Sequence, residues 1–230
     1  PEDYASFWEN FGAVLKEGLY EDLANREAIL KLVRFKSTAQ DGLVGLDDYI
    51  GRMKDGQDSI YYITGEEAEA LARSPQLEGF RARGVEVLMM TDPVDEFWLP
   101  AIGTYEEKPF KSATRAGADL SNIKEEGADE KDDKTDKAGK DHPKGLDSLI
   151  SMVKLELGEA VKDVRVSERL TDSAVCLVAD EGDMDIHLER LLRQHNQLET
   201  SVTRVMEINP THPLITTLAG IVGDDGAAGL

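Results

Sequence analysis

The chain has 230 residues, of which 40% are hydrophobic and 31% charged, and its formal net charge is −20. That length admits one large domain or two ordinary ones, with enough apolar material for a packed core. So acidic a surface repels phosphate backbones, which argues against nucleic acid as a partner and favours basic or positively charged segments.

The first stretch, 3–57, reads as helical. In "DYASFWENFGAVLKEGL", Phe7, Phe11, Val14 and Leu15 recur at helical spacing. "EDLANREAILKLVRFKS" sets Leu23, Ile29, Leu30, Leu32 and Val33 in a second apolar helical register, and "GLDDYIGRM" predicts a short third helix with Asp47 or Asp48 near its start. The period then changes. "SIYYIT" is rich in β-branched and aromatic residues and predicts a strand. "EEAEALARSPQLEGFRARG" predicts one or two helices, interrupted at Pro75 and ended by Gly84, and "VEVLMMT" predicts a second strand. Strand, helix and strand within about 30 residues have the size of a right-handed crossover with parallel strands. "DEFWLPAI" predicts a helix after Asp92 or Asp95, and "PFKSAT" a further short strand.

Residues 121–145, "SNIKEEGADEKDDKTDKAGKDHPKG", hold eight acids and six lysines, with Ile123 the only sizeable apolar side chain. Nothing there offsets the entropy of ordering, so the stretch reads as a solvated tether between two folded parts. Beyond it, "GLDSLISMVKLELG" predicts a helix, "VKDVRVSERL" and "AVCLVAD" strands, "GDMDIHLERLLRQHNQL" an amphipathic helix and "SVTRVMEIN" a strand. "NPTHPLITTLAG" predicts a last helix, capped by Asn209 with Pro210 at its first position. The fold class expected is therefore α/β and α+β: a helical segment at 1–57, a small α/β unit at 58–120, the charged linker at 121–145, and a separate α+β domain at 146–230.

Chemistry is sparse. A strand turning through Gly65 into a helix resembles half of a phosphate loop, but "EEAEALAR" follows, with no second glycine and no lysine. Glu66, Glu67 and Glu69 complement a helix dipole and oppose a phosphate, so the turn reading prevails. His187 and His195 are eight apart, which is no ligand spacing, and His142 and His212 lie far off, so no metal site is expected. Asp92, Asp95 and Glu96 are candidates for acid–base work, with a solvated helix start as the plainer reading. The single cysteine, Cys176, sits in an apolar run and reads as a buried structural thiol, in keeping with a reducing cytoplasm. No apolar run approaches the roughly 18 residues of a membrane span, and "PEDYASFW" lacks a signal-peptide pattern.

Two features suit binding. Phe97 and Trp98 are adjacent on a predicted helix, about 100° apart, so one can face the core while the other faces solvent. By composition both are favoured as core. Met184, Leu188, Leu191 and Leu192 fall within one apolar stripe, which either packs on its own domain or, beside the polar "DEGD", presents an adaptable surface.

"RFKST" (34–38), "LDDYIGRMK" (46–54), "YYITGE" (61–66), "DPVDEF" (92–97), "VKDVRVSERLTDSAVCLV" (161–178) and "EINPTHPLI" (207–215), in this order, resemble the ninety-kilodalton heat-shock chaperone family in its bacterial form. The resemblance implies an ATP-driven homodimeric clamp with an ATPase domain, a middle domain and a C-terminal dimerisation domain. Residues 1 to about 120 would be the end of the middle domain and the rest most of the C-terminal domain. No cofactor is expected here, ATP and magnesium belonging to parts of the parent outside this stretch, and no catalysis. The helices that close the family's dimer bundle would lie beyond "DDGAAGL", so dimerisation is expected of the parent and not relied on here. The implied partners are non-native client proteins. Glu96 and Phe97 match an acidic–aromatic contact position of the family, with Trp98 beside them as a possible substitute. Met184, Leu188, Leu191 and Leu192 match its exposed amphipathic helix. From outside this family, an α/β nucleotide- or anion-binding enzyme domain over 58–115 is the alternative.

Overall fold

The computed structural model describes residues 2–116, 120, 122–123, 142–198 and 202–225. It opens with helix α1 (Glu2–Glu21), followed by α2 (Arg26–Leu32), β1 (Lys36–Ser37) and α3 (Leu46–Ile50). The face of α1 turned inward carries Trp8 and Leu19, with Tyr4 and Leu15 partly covered. Phe7, Phe11 and Val14, the expected inner stripe, are exposed instead. The reason is Lys16, which is buried on the inner face because its ammonium lies 2.7 Å from Asp92 and 2.9 Å from Asp95. Hydropathy places a lysine outside, so a paired one turns the apparent apolar face through part of a turn. Leu23 and Leu32 are likewise exposed, while Ile29, Leu30 and Val33 are buried.

The first sheet contains β1, β2 (Ile60–Thr64), β3 (Leu88–Met90), β4 (Thr104–Tyr105) and β5 (Lys108–Ser112), in the order β1-β3-β2-β5-β4. The central strand β2 runs parallel to both β3 and β5. It is covered on both faces, which is why "IYYIT" is an almost unbroken β-prone run. Ile60 joins a core with Leu88, Met90, Trp98 and the helices of the first stretch. Tyr61 and Ile63 join another with Leu77, Phe80 and Val87. Between β2 and β3 the chain passes through α4 (Ala68–Leu71), a 3-10 turn at Pro75–Leu77 and α5 (Glu78–Ala82), the expected crossover with its break at Pro75. Gly65 donates its N–H to Met90 O at 3.1 Å, and a Cβ there would stand 2.7 Å from Leu71 Cδ2. The glycine thus lets α4 close onto the sheet, and α4 is a single turn.

Helix α6 (Asp95–Ile102) joins β3 to the β4–β5 hairpin. The tether expected at 121–145 lies largely outside the described residues, although Ile123 is buried against the core of Phe80 and Val87. Helix α7 (Leu146–Leu157), β6 (Val161–Val166), β7 (Val175–Val178), α8 (Ile186–Gln194), β8 (Arg204–Ile208) and α9 (Pro213–Asp225) follow. The second sheet has the order β6-β8-β7, parallel and then antiparallel. Leu146, Leu149, Ile215, Ala219 and Val222 of α7 and α9 pack on Val164 and Ile208 of that sheet. Helix α9 starts at Pro213 and not at Pro210, because Asn209 spends its side-chain oxygen on Thr211 N at 3.0 Å and His212 Nδ1 accepts from Leu214 N at 3.2 Å. The cap is the histidine, and the asparagine closes the turn before it.

Polar groups join the two sheets. Arg115 and Ala179 form an isolated parallel bridge, and Arg169 donates to Ala113 O at 2.6 Å and to Arg115 O at 2.7 Å. Glu78 on α5 accepts from Thr171, Asp172 and Ser173 N–H groups, at 2.8 Å for the first. Gly79 beside it packs so closely that a Cβ would lie 2.9 Å from Arg169 Cα. Cys176 is buried in a small cluster with Leu170, Val178 and Val205. Burial, with Glu207 nearby, pushes its thiol up to about 12, which leaves it protonated and unreactive.

Candidate functional site

Helix α6 begins on a buried aspartate. Asp95 receives Lys16 on one side and the Trp98 indole N–H at 2.7 Å on the other. Burial pushes the Asp95 carboxyl up, and Lys16 and Trp98 pull against it. These bonds turn Trp98 fully inward, where it meets Phe110 edge-on at 5.5 Å. The residue between is left outside, and Phe97 is 51% exposed.

Glu96 is also buried, and its Oε1 lies 2.9 Å from His187 Nδ1 on α8. The same end of α8 is held by Asp185. That carboxylate accepts from His187 N at 3.3 Å, as a helix cap, and from the Thr114 hydroxyl at 2.9 Å and the Ser112 hydroxyl. One turn on, Glu189 is buried against Arg204. Asp185, His187 and Glu189 are thus all buried, and Arg190, Arg193 and Gln194 form the exposed side of α8. Met184, just before the helix, and Leu188, Leu191 and Leu192 on it are half-buried. Among the described residues none of the four packs into any of the apolar cores.

Of the residues expected at a contact surface, Phe97 is on the surface, and the Met184 stripe is partly so. Glu96 and Trp98 are not, since one is spent on His187 and the other on Asp95. An adjacent "FW" pair on a helix cannot be resolved by composition. The signal that resolves it is Asp95 three residues before Trp98, within reach of an indole N–H one helical turn on. His187 lacks a metal-ligand spacing, and its role in the seam has no local signature. Among the described residues no three His, Cys, Asp or Glu side chains gather as a metal site requires, and no helix is long and apolar enough to cross a membrane.

The Hsp90 protein family model matches residues 1–228, and the chain belongs to the Hsp90 family. It is 58% identical over 229 residues to the chaperone protein HtpG of Paramagnetospirillum magneticum, covering 99% of this chain and 36% of that protein. The HtpG of Roseobacter denitrificans is 56% identical over 219 residues, 95% of this chain and 34% of its own length. That of Wolbachia pipientis is 46% identical over 228 residues, 98% and 35%. The chain thus spans about a third of the length of these chaperones.

Proposed function

We propose that this chain is the client-handling part of a bacterial chaperone, contacting non-native protein through Phe97 and the stripe of Met184, Leu188, Leu191 and Leu192. The observation that carries the reading is that Phe97 is 51% exposed and that the half-buried apolar stripe of α8 joins no apolar core. The buried His187 and Glu189 of α8 are matched by Glu96 and Arg204, and the apolar residues of the stripe are only half-covered. Apolar side chains at partial exposure in a strongly acidic frame suit shallow, many-point contact with unfolded segments, of modest and salt-dependent affinity. Family membership supports the same conclusion and disfavours the enzyme alternative over 58–115.

ATP and magnesium, in this reading, act in parts of the full-length protein outside these residues, as does the closure of a homodimer, and the protein works in the cytoplasm. The domain division, with the middle-domain end at 1–120 and the C-terminal domain at 146–230, belongs to the same proposal. The decisive experiment measures suppression of a model client's aggregation by the full-length protein carrying Phe97→Ser or Leu188→Ser. Suppression weakened without loss of fold supports the surface, and unchanged suppression in both variants rejects it. Equilibrium dialysis of the 230-residue chain against ATP should give no micromolar binding, and such binding would overturn the assignment of ATP elsewhere.

A further inference from the structure

An open sheet edge is a template for another strand, and folded proteins blunt such edges or cover them. Among the described residues the two sheets have four edges. Those of the first sheet are β1 and β4, each only two residues long. On the second sheet β7 is taken up by the first: Gln76 Nε2 donates to Leu177 O at 2.7 Å. Just past β7, Ala179 N donates to Thr114 O and Ala179 O accepts from Ala116 N, both at 2.9 Å. The fourth edge is β6. It has six residues, Val161–Val166, and among the described residues no strand lies on its far side.

The register fixes which main-chain groups of β6 point away from β8. Val166 stands opposite Ile208, and Ser167 N donates to Ile208 O at 2.8 Å. Bonding residues alternate along a parallel ladder, so Arg165 and Ser167 face β8, while the N–H and C=O groups of Val164 and Val166 face outward. Val164 N agrees with that direction, since it donates to the Asp163 carboxylate at 2.9 Å. Lys154 on α7 holds the same carboxylate at 2.6 Å. Lys154 and the Val164 N–H keep Asp163 below its ordinary value, so it is charged at neutral pH. Both side chains are about half exposed, so this guard opens onto water at small cost. Lys162 and Arg165 are spent across the sheet, on Asp180, Asp183 and Glu207.

We propose that the outer edge of β6 receives an extended segment of a client as an added strand, bonded through the main chain of Val164 and Val166 once Asp163 swings aside. The inference rests on the client-handling reading above and adds a second mode of contact, with its class of ligand: an extended, proline-poor polypeptide. An unfolded chain carries main-chain donors and acceptors whatever its sequence, and only proline lacks the donor. Strand addition therefore holds diverse segments alike, and selection falls to the side chains that meet Phe97 and the α8 stripe.

The test uses a fluorescein-labelled ten-residue peptide of alternating Val and Thr with a lysine at each end, and the same peptide N-methylated at its four central residues. Each is titrated with the 230-residue protein by fluorescence anisotropy. N-methylation leaves every side chain and charge in place and removes main-chain donors, so it should weaken binding about tenfold. Val166→Pro removes an outward N–H and no bond to β8, and should weaken the unmethylated peptide about as much. Asp163→Ala frees the Val164 N–H and should tighten binding about threefold, which keeps the test decisive if the proline variant does not fold. Equal affinity for the two peptides overturns the proposal, as does an Asp163→Ala variant that binds no better. A mass of two chains in sedimentation, returned to one by Val166→Pro, also overturns it and gives the edge to a second copy. If aggregation suppression by the full-length protein ignores Phe97→Ser and Leu188→Ser while the N-methylation effect persists, the apolar surface fails and the edge stands. The reverse pattern leaves the surface and removes the edge.

Discussion

The five-stranded sheet and the three-stranded sheet are held in different ways. The first is sandwiched between two apolar cores, one containing Trp8, Tyr49 and Trp98 and the other Tyr61 and Phe80. The second has α7 and α9 on one side, and toward the first sheet it shows mainly Arg169, Asp185, His187 and the loop bound by Glu78. Apolar burial is strong and tolerant of small shifts, whereas hydrogen-bonded charges define one geometry and lose much when a partner is removed. The seam is therefore specific in orientation.

The largest effect that would break this contrast lies in the first core. Trp98→Ala should destabilise the protein by about 3–5 kcal/mol, read from urea unfolding, because it leaves a cavity and also strips Asp95 of a donor. A cost as small as that of a surface substitution would mean the first sheet is no better cored than the second. Next, Glu78→Gln should cost about 2 kcal/mol through lost charge-assisted bonds. Amide exchange should rise first at 171–173 and leave β2 protected, while loss of protection in both together would deny a separable seam.

Acid should act on the same bonds. Burial pushes the Glu78 carboxyl up, but the Ser173 hydroxyl and the N–H groups of 171–173 outweigh it and hold the group below its ordinary value of 4.5. Its stabilisation is therefore complete above that value and fades as the pH falls through the lower, folded one. Exchange at 171–173 in wild type should rise over that acid window, and the rise should be absent in Glu78→Gln. The smallest effect sharpens the contrast from outside. Phe97→Ser should change stability by less than about 0.5 kcal/mol, a surface value, even as client suppression falls. A destabilisation of core size would make Phe97 structural.

Where backbone period and burial agree, the sequence is easy to read. The crossover from "IYYIT" to "VEVLMMT" is legible because both strands are covered on two faces. The strands of the second sheet and the break at Pro75 are legible from composition and proline geometry. Apart from the start of α9, set by local capping, the failures share one cause. Lys16, Glu96, Asp185, His187 and Glu189 are charged or titratable and yet buried, each matched by a partner outside its own helix. Asp95 and Lys16 are separated by 79 positions and His187 and Glu96 by 91. A rule that reads polarity as exposure turns α1 the wrong way and leaves Glu96 outside. The Met184 stripe is visible as amphipathic, but the burial of Asp185, His187 and Glu189 on either side of it depends on those partners.

Gly79 sets a limit on substitution in this chain. Because its missing side chain lets α5 meet the backbone at Arg169, the spacing between the two sheets is written into a position with no side chain to adjust. A lineage that acquires any larger residue there must first move the 167–171 loop, and that loop carries the arginine joining the halves. Drift at position 79 is therefore coupled to a rearrangement of the whole joint, whereas positions such as Leu155, open to water on α7, can wander freely.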